Sequence, residues 1–108
     1  GRQMRKLGPS GVIERIPAGA RVYVTLDIDG FCPSIAPGTG TPSHGGFLYY
    51  EVLEMLQALA RRNEVVGIDL VEVAPDYDPT GSTAILAAQI LLNFLGFVFD
   101  ARAGRTAR

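Results

Sequence analysis

The 108-residue sequence contains one cysteine and one histidine, Cys32 and His44. A lone cysteine excludes an internal disulfide framework and suits a reducing compartment. It also excludes a zinc site built from cysteine and histidine within this chain, so any metal held here is held mainly by carboxylates. Charge of one sign is lacking too. Ten Lys+Arg against eleven Asp+Glu leave a net charge of −1, which argues against a nucleic-acid partner, because such binding rests on clustered positive charge. Basic residues gather towards the two ends (Arg2, Arg5, Lys6, Arg102, Arg105, Arg108) and read as solvated tails. No run reaches the roughly 20 apolar residues of a membrane span. The most apolar stretch, Ala84 to Phe99, includes Gln89 and Asn93 and reads as a buried helix. The N-terminal segment is polar and has no apolar core of a secretory signal. These absences lead us to expect a soluble, cytoplasmic protein with no membrane partner.

What is present is enough for one small packed domain, with 47% hydrophobic and 19% charged residues. Arg21 to Ile28 places Val22, Val24, Leu26 and Ile28 at period two, which predicts a strand. Glycines and prolines crowd the stretch from Gly30 to Gly46, which must be a long ordered loop, and loops of that length are usually functional. From Phe47 to Arg61, Leu48, Val52, Met55, Leu56 and Leu59 recur at helical spacing. Glu64 to Val73 is a second, nearly continuous apolar run, as in a parallel strand covered on both faces. After a loop from Ala74 to Pro79, a long helix is predicted from about Thr80 to Phe97, capped by Ser82 or Thr80. Gly1 to Ala20 carries only a weak helical hint around Val12 to Ile16. The order is βαβα, an α/β arrangement with parallel strands joined by a crossover helix. Two parallel strands make a poor sheet. The chain therefore reads as a piece of a larger α/β domain, or as one completed by association.

In open α/β sheets, ligands bind beyond the carboxyl ends of the strands, and both predicted strands end in acids. Asp27 and Asp29 share one face of an ideal strand. There they repel unless a cation neutralises them, and hard divalent ions prefer such oxygen ligands. The alternative is that one caps the following turn through an Asx-type bond while the other is solvated. Glu72, between Val71 and Val73, is either paired or cation-bound, or else a solvated residue at a strand end. Asp69 is expected to hydrogen-bond the loop. The loop segment Ala36 to Pro42, with Thr39 at its centre, does not match a P-loop, yet it can present backbone amides to a ligand. His44 is a candidate proton carrier or substrate contact, although a solvated turn residue is the plainer reading. Cys32 reads as a buried, inert thiol. Of Tyr49 and Tyr50, one is expected to pack and the other to be exposed.

The motifs Leu26-Asp27-Ile28-Asp29-Gly30-Phe31, Pro33 to Pro42, Gly45-Gly46 and Gly67 to Pro75, in this order, resemble the C-terminal part of the ureohydrolases, the arginase and agmatinase family. Tyr77 to Ala84 and the helix after it are closer to agmatinases than to arginases. The resemblance implies a three-layer α/β/α fold with a parallel sheet, of which this chain would be the C-terminal βαβα portion. It also implies a binuclear manganese site that hydrolyses a guanidino compound to urea and an amine, and a homo-oligomer. By motif position, Asp27 resembles a carboxylate shared between two metals and Asp29 a ligand of one. Glu72 resembles the acid that salt-links the substrate guanidinium. Two positions depart from the pattern: Cys32 stands where the family usually has Asp, and Leu48 where arginases tend to carry Thr. The family's Gly-Gly-Asp-His and Asp-x-His-x-Asp motifs are absent from the sequence, so only part of the ligand set is present. The expectation is therefore a C-terminal fragment of a single ureohydrolase domain spanning residues 1–108, with 1–20 as lead-in and 21–100 as the βαβα unit. The alternative is a non-catalytic fold fragment that associates through exposed sheet edges. A nucleotide-sugar motif of the Asp-x-Asp type finds no further support in the chain.

Overall fold

The computed structural model describes residues 2–106, with side chains described from 6 to 105. Helix α1 (Arg2–Ile13) leads into β1 (Arg21–Asp27), α2 (Tyr49–Arg62), β2 (Glu64–Val71) and α3 (Ser82–Thr106), with 3-10 turns at Ile28–Gly30 and Pro75–Tyr77. β1 and β2 form a two-stranded parallel sheet, and α2 makes the crossover as expected. The sheet is α/β with its helices gathered around one core. Val22, Val24 and Leu26 of β1 pack towards that core, while Tyr23, Thr25 and Asp27 point to the exposed face. Val65, Leu56, Leu59, Ile90 and Phe94 fill the centre together with Ile28 and Phe31.

Each boundary has a local cause. β1 ends one residue earlier than its alternation suggests because the Asp27 carboxylate accepts from the Asp29 backbone N–H at 3.1 Å, drawing the chain into a turn. β2 stops at Val71 because Glu72 takes a left-handed φ of 71°. α2 begins at Tyr49, where the Glu51 carboxylate accepts from the Leu48 N–H at 2.8 Å and satisfies a donor before the first turn. At its other end the Asn63 side-chain amide donates to the Pro17 and Ala20 carbonyls at 2.8 and 3.0 Å. The lead-in is more helical than its sequence suggests. α1 covers Arg2–Ile13 and breaks at Gly8 (φ 78°), after which Pro9 starts the second piece. Proline is tolerated there because the first helical N–H needs no partner. The sheet carries one bulge. Val22 pairs with Val65 but Tyr23 pairs with Gly67, leaving Val66 unmatched. The Tyr23 ring lies directly over Gly67, where a Cβ would come within 2.6 Å of it.

α3 departs from the expected buried helix. It runs 25 residues and buries only the face of Thr83, Ala87, Ile90 and Phe94. Ile85, Leu92, Leu95 and Phe99 are exposed on the other side. By length and composition it is apolar and long enough to cross a membrane. Its C-terminal arginines are not solvated tails either. Arg105 donates to the Ala60 and Asn63 carbonyls at 2.7 and 2.9 Å, and Arg102 to the Val65 carbonyl at 3.0 Å. The Arg105 bonds pin the end of α3 to carbonyls at the end of α2, where cations are favoured, and the Arg102 bond ties it to β2. Arg2, Arg5 and Arg108 lie outside the residues whose side chains are described.

Candidate functional site

The acids gather at the carboxyl ends of the paired strands. Asp27 is the last residue of β1, and its register partner is Val71. Glu72 is therefore the next residue along the neighbouring strand path. Asp29 does not share a strand face with Asp27, as an ideal strand would have it, but sits on the 3-10 turn. That turn is anchored by Ile28, which is fully buried. One oxygen of each aspartate is engaged. Asp27 Oδ1 accepts from the Asp29 N–H, and Asp29 Oδ2 accepts from the Thr41 hydroxyl at 2.6 Å. The turn-capping bond and a cation site are thus compatible, because each carboxylate keeps its second oxygen unpaired among the described residues. Two exposed or half-exposed carboxylates with hard oxygen donors fit the preference of Mn²⁺. They amount to part of a ligand set. Among the described residues no group of three or more His, Cys, Asp or Glu side chains is placed to hold a metal ion.

Glu72 is exposed, and it is the only non-glycine residue with positive φ among those described. An L-residue in this region costs roughly 1–2 kcal/mol, and such strain concentrates at functional sites. The segment after it is tied down by the Ala74 N–H, which donates to the Gly38 carbonyl at 2.7 Å. Asp69 does not hydrogen-bond the loop as expected. Its side chain lies on the outer sheet face and accepts from the Tyr23 and Thr25 hydroxyls of β1, the first at 3.0 Å. The reason is pleat geometry: Thr25 is its register partner, so the three side chains stand on one face. The bond to this carboxylate and its charge together raise the Tyr23 phenol above 10.0.

The long loop is ordered. Cys32 N–H donates to the Phe47 carbonyl and Phe47 N–H to the Gly30 carbonyl, both at 2.8 Å, closing residues 31–47 into a ring. Cys32 is half-buried rather than buried, and its sulfur accepts from the Ser34 hydroxyl at 3.1 Å. Thr39 is buried in the loop, and its hydroxyl has no partner among the described residues. His44 stands on the exposed stretch, in keeping with the solvated-turn reading. Tyr49 packs while Tyr50 is exposed, their rings meeting edge to face at 5.2 Å.

One residue was missed by reading the sequence for metal ligands. Asp78 is buried, and its carboxylate accepts from the hydroxyl and N–H of Thr80 (2.6 and 3.2 Å) and of Thr83 (2.7 and 2.8 Å). Those bonds hold its carboxyl well below the usual range, at about 2. It is this aspartate that caps the start of α3, with Thr80 Oγ1 accepting from the Ser82 N–H in support. The Asp-Pro-Thr-Gly-Ser-Thr run carried the signal, since Asp bonds the backbone two residues on. Concavity and acids coincide only in part. A cleft of about 330 Å³ between β1 and α2 reaches Asp27, lined by Val24, Leu26, Phe31, Phe47 and Leu56. Another, of about 510 Å³, lies at the opposite end among Arg62, Asn63, Arg102 and Arg105.

The sequence profile of the arginase family matches residues 1–96. The chain belongs to the arginase family. It is 49% identical over 79 residues to an agmatinase of Halalkalibacterium halodurans, covering 72% of this chain and 27% of that protein. It is 44% identical over 77 residues to a guanidinobutyrase of Pseudomonas aeruginosa, covering 71% of this chain and 24% of that protein. Among solved structures, the proclavaminate amidino hydrolase of Streptomyces clavuligerus superposes with a TM-score of 0.85 at 40% identity, covering 93% of this chain and 34% of the other. This arginase-family chain therefore spans about a quarter of the length of the curated relatives it matches, and it has the fold of the corresponding third of the solved one.

Proposed function

We propose that this chain is the C-terminal part of a manganese-dependent ureohydrolase domain, which cleaves a guanidino compound of the agmatine type to urea and an amine. The observation that carries this reading is the placement of Asp27 and Asp29, each with an unpaired oxygen, beside a strained Glu72 at the end of the paired strand. Relatives that are an agmatinase and a guanidinobutyrase support a guanidino substrate. In this reading Asp27 and Asp29 hold manganese as part of a binuclear ligand set completed by residues outside this sequence. The chemistry that such ions supply is activation and orientation of water at neutral pH. Glu72 holds the substrate. A carboxylate and a planar guanidinium meet in paired charge-assisted hydrogen bonds, which would fix the carbon to be attacked and the C–N bond to be broken. The proposal includes a cytoplasmic location and a homo-oligomeric parent.

A second reading rests on a different observation. The two-stranded sheet has an open edge on each side, and α3 exposes Ile85, Leu92, Leu95 and Phe99. Open parallel strands and apolar faces favour association, so the chain would persist as a non-catalytic fragment bound to a partner copy. Calorimetric titration of the chain with Mn²⁺, beside the Asp27→Asn/Asp29→Asn double variant, separates the two. Binding that the double variant abolishes supports the ureohydrolase reading. A titration without binding, or one that the double variant leaves unchanged, refutes the metal assignment in this chain and favours the second reading.

A further inference from the structure

We propose that Asp78 and Thr83 are positioning residues for the site: through Gly38 they hold, with one clasp, both the loop that bonds Asp29 and the segment that presents Glu72. The inference rests on the functional reading above for what those carboxylates do, and on the hydrogen-bond geometry for how they are held.

Gly38 is the crossing point. Its N–H donates to Thr83 Oγ1 at 2.9 Å, and its carbonyl accepts from the Ala74 N–H at 2.7 Å. Three residues further along the loop, the Thr41 hydroxyl reaches Asp29 Oδ2. Ala74 lies two residues after Glu72. Both acids of the candidate site are therefore referred, by short chains of bonds, to the same backbone unit. The polarity of the clasp has only one solution. An ionised Asp78 can only accept, so the Thr83 hydroxyl must donate its proton to Asp78 Oδ2 (2.7 Å). The oxygen of that hydroxyl is then left to accept from Gly38. The fit is also steric. A Cβ on Gly38 would come within 2.9 Å of Asp78 Cβ and of Thr83 Cβ and Oγ1, so the loop backbone is pressed directly onto the start of α3. Asp78, Thr83 and Gly38 are all buried. With water excluded, losing one bond leaves a buried donor or acceptor unsatisfied rather than resolvated.

The test uses the full chain, ¹⁵N-labelled, in four forms: the parent, Thr83→Val, Thr83→Ser and Gly38→Ala. Thr83→Val removes the hydroxyl that links Asp78 to Gly38, and Thr83→Ser restores it. Gly38→Ala keeps the Asp78 carboxylate and the Thr83 hydroxyl but drives a methyl against both, prising the loop from the start of α3, and gives a second route should the valine variant fail to fold. The expected result is that Thr83→Val and Gly38→Ala move the amide signals of Asp29, Thr41, Glu72 and Ala74, and that Thr83→Ser returns them to their parent positions. Signals that move only in residues 78–86 and at Gly38, with Asp29 and Glu72 unchanged, would overturn the proposal. In a parallel Mn²⁺ titration the valine variant should bind about tenfold more weakly or worse, as expected when a residue that orients a ligand is lost, with recovery in the serine variant. A parent chain that binds no Mn²⁺ while the shifts still propagate overturns the metal reading and leaves the clasp standing.

Discussion

Glu72 offers a test in which stability and function should move in opposite directions. It sits at φ 71°, where an L-residue pays roughly 1–2 kcal/mol and glycine almost nothing. Replacing it by glycine removes that strain but adds unfolded-state entropy worth roughly 0.5–1 kcal/mol. The Glu72 side chain is exposed and makes no hydrogen bond or ion pair among the described residues, so nothing else of size enters the balance. The net expectation for Glu72→Gly is a gain between zero and about 1.5 kcal/mol, centred on about 0.75 kcal/mol. For a domain of this size the centre of that range is a rise in Tm of roughly 3–6 °C. Glu72→Gln keeps the backbone conformation and removes the charge, and its stability should stay within about 0.5 kcal/mol of the parent. Both variants should lose affinity for a guanidino ligand, read by calorimetry with agmatine on manganese-loaded protein. The assay for stability is thermal unfolding followed by circular dichroism. A Glu72→Gly variant that melts lower than the parent would show that the left-handed backbone is not a strain held for the side chain. Unchanged agmatine binding in Glu72→Gln would remove the carboxylate from the site.

Other outcomes follow from single contacts. Asp78 has a folded-state pKa of about 2 against an ordinary 3.8. Its stabilisation is therefore full above about pH 4 and is lost as pH falls towards 2; Asp78→Asn should flatten acid unfolding in that window, measured by circular dichroism. Asp69→Asn should let the Tyr23 phenol, now raised by that carboxylate, ionise close to 10.0, and ultraviolet absorbance at alkaline pH reads the change. Phe94 is fully buried between α3 and the rest of the core. Phe94→Ala should cost about 3–5 kcal/mol, enough to show as a large fall in the urea midpoint.

The two strands, α2 and α3 were legible because each rests on local rules, whereas α1 was visible only as a hint near its end. Alternation at Val22, Val24 and Leu26 and helical spacing at Val52, Leu56 and Leu59 need no distant partner to be read, and all of these residues pack into the core. The ends of the elements were less legible because they are decided by single side chains. Spacing leaves open whether an acid of the Asp27–Asp29 pair caps the turn, and in the structure Asp27 is the cap; no periodicity encodes the left-handed Glu72. Asp69 was misassigned because its partners, Tyr23 and Thr25, are set by the register of a strand more than forty residues away. A one-residue bulge at Val66 fixes that register. Asp78 was overlooked for the opposite reason. Its capping signal is local and readable, but it marks a helix start rather than a metal ligand, and Asp78 works alone through hydroxyls and amides.

α3 shows why apolar composition alone does not assign an environment. Its length and character would suit a membrane span, yet three features tie it to the sheet. Its first turn is held by Asp78 and by Thr83, whose hydroxyl also accepts from the Gly38 N–H of the loop. Its middle is keyed into the core by Ile90 and Phe94, both fully buried. Its last turns deliver Arg102 and Arg105 to the carbonyls of Val65, Ala60 and Asn63. Moving such a helix into a bilayer would strip charged hydrogen bonds at one end and the aspartate cap at the other, and would empty the core between them. The exposed stripe of Ile85, Leu92 and Phe99, at seven-residue spacing, is then the second face of a helix already docked by its first.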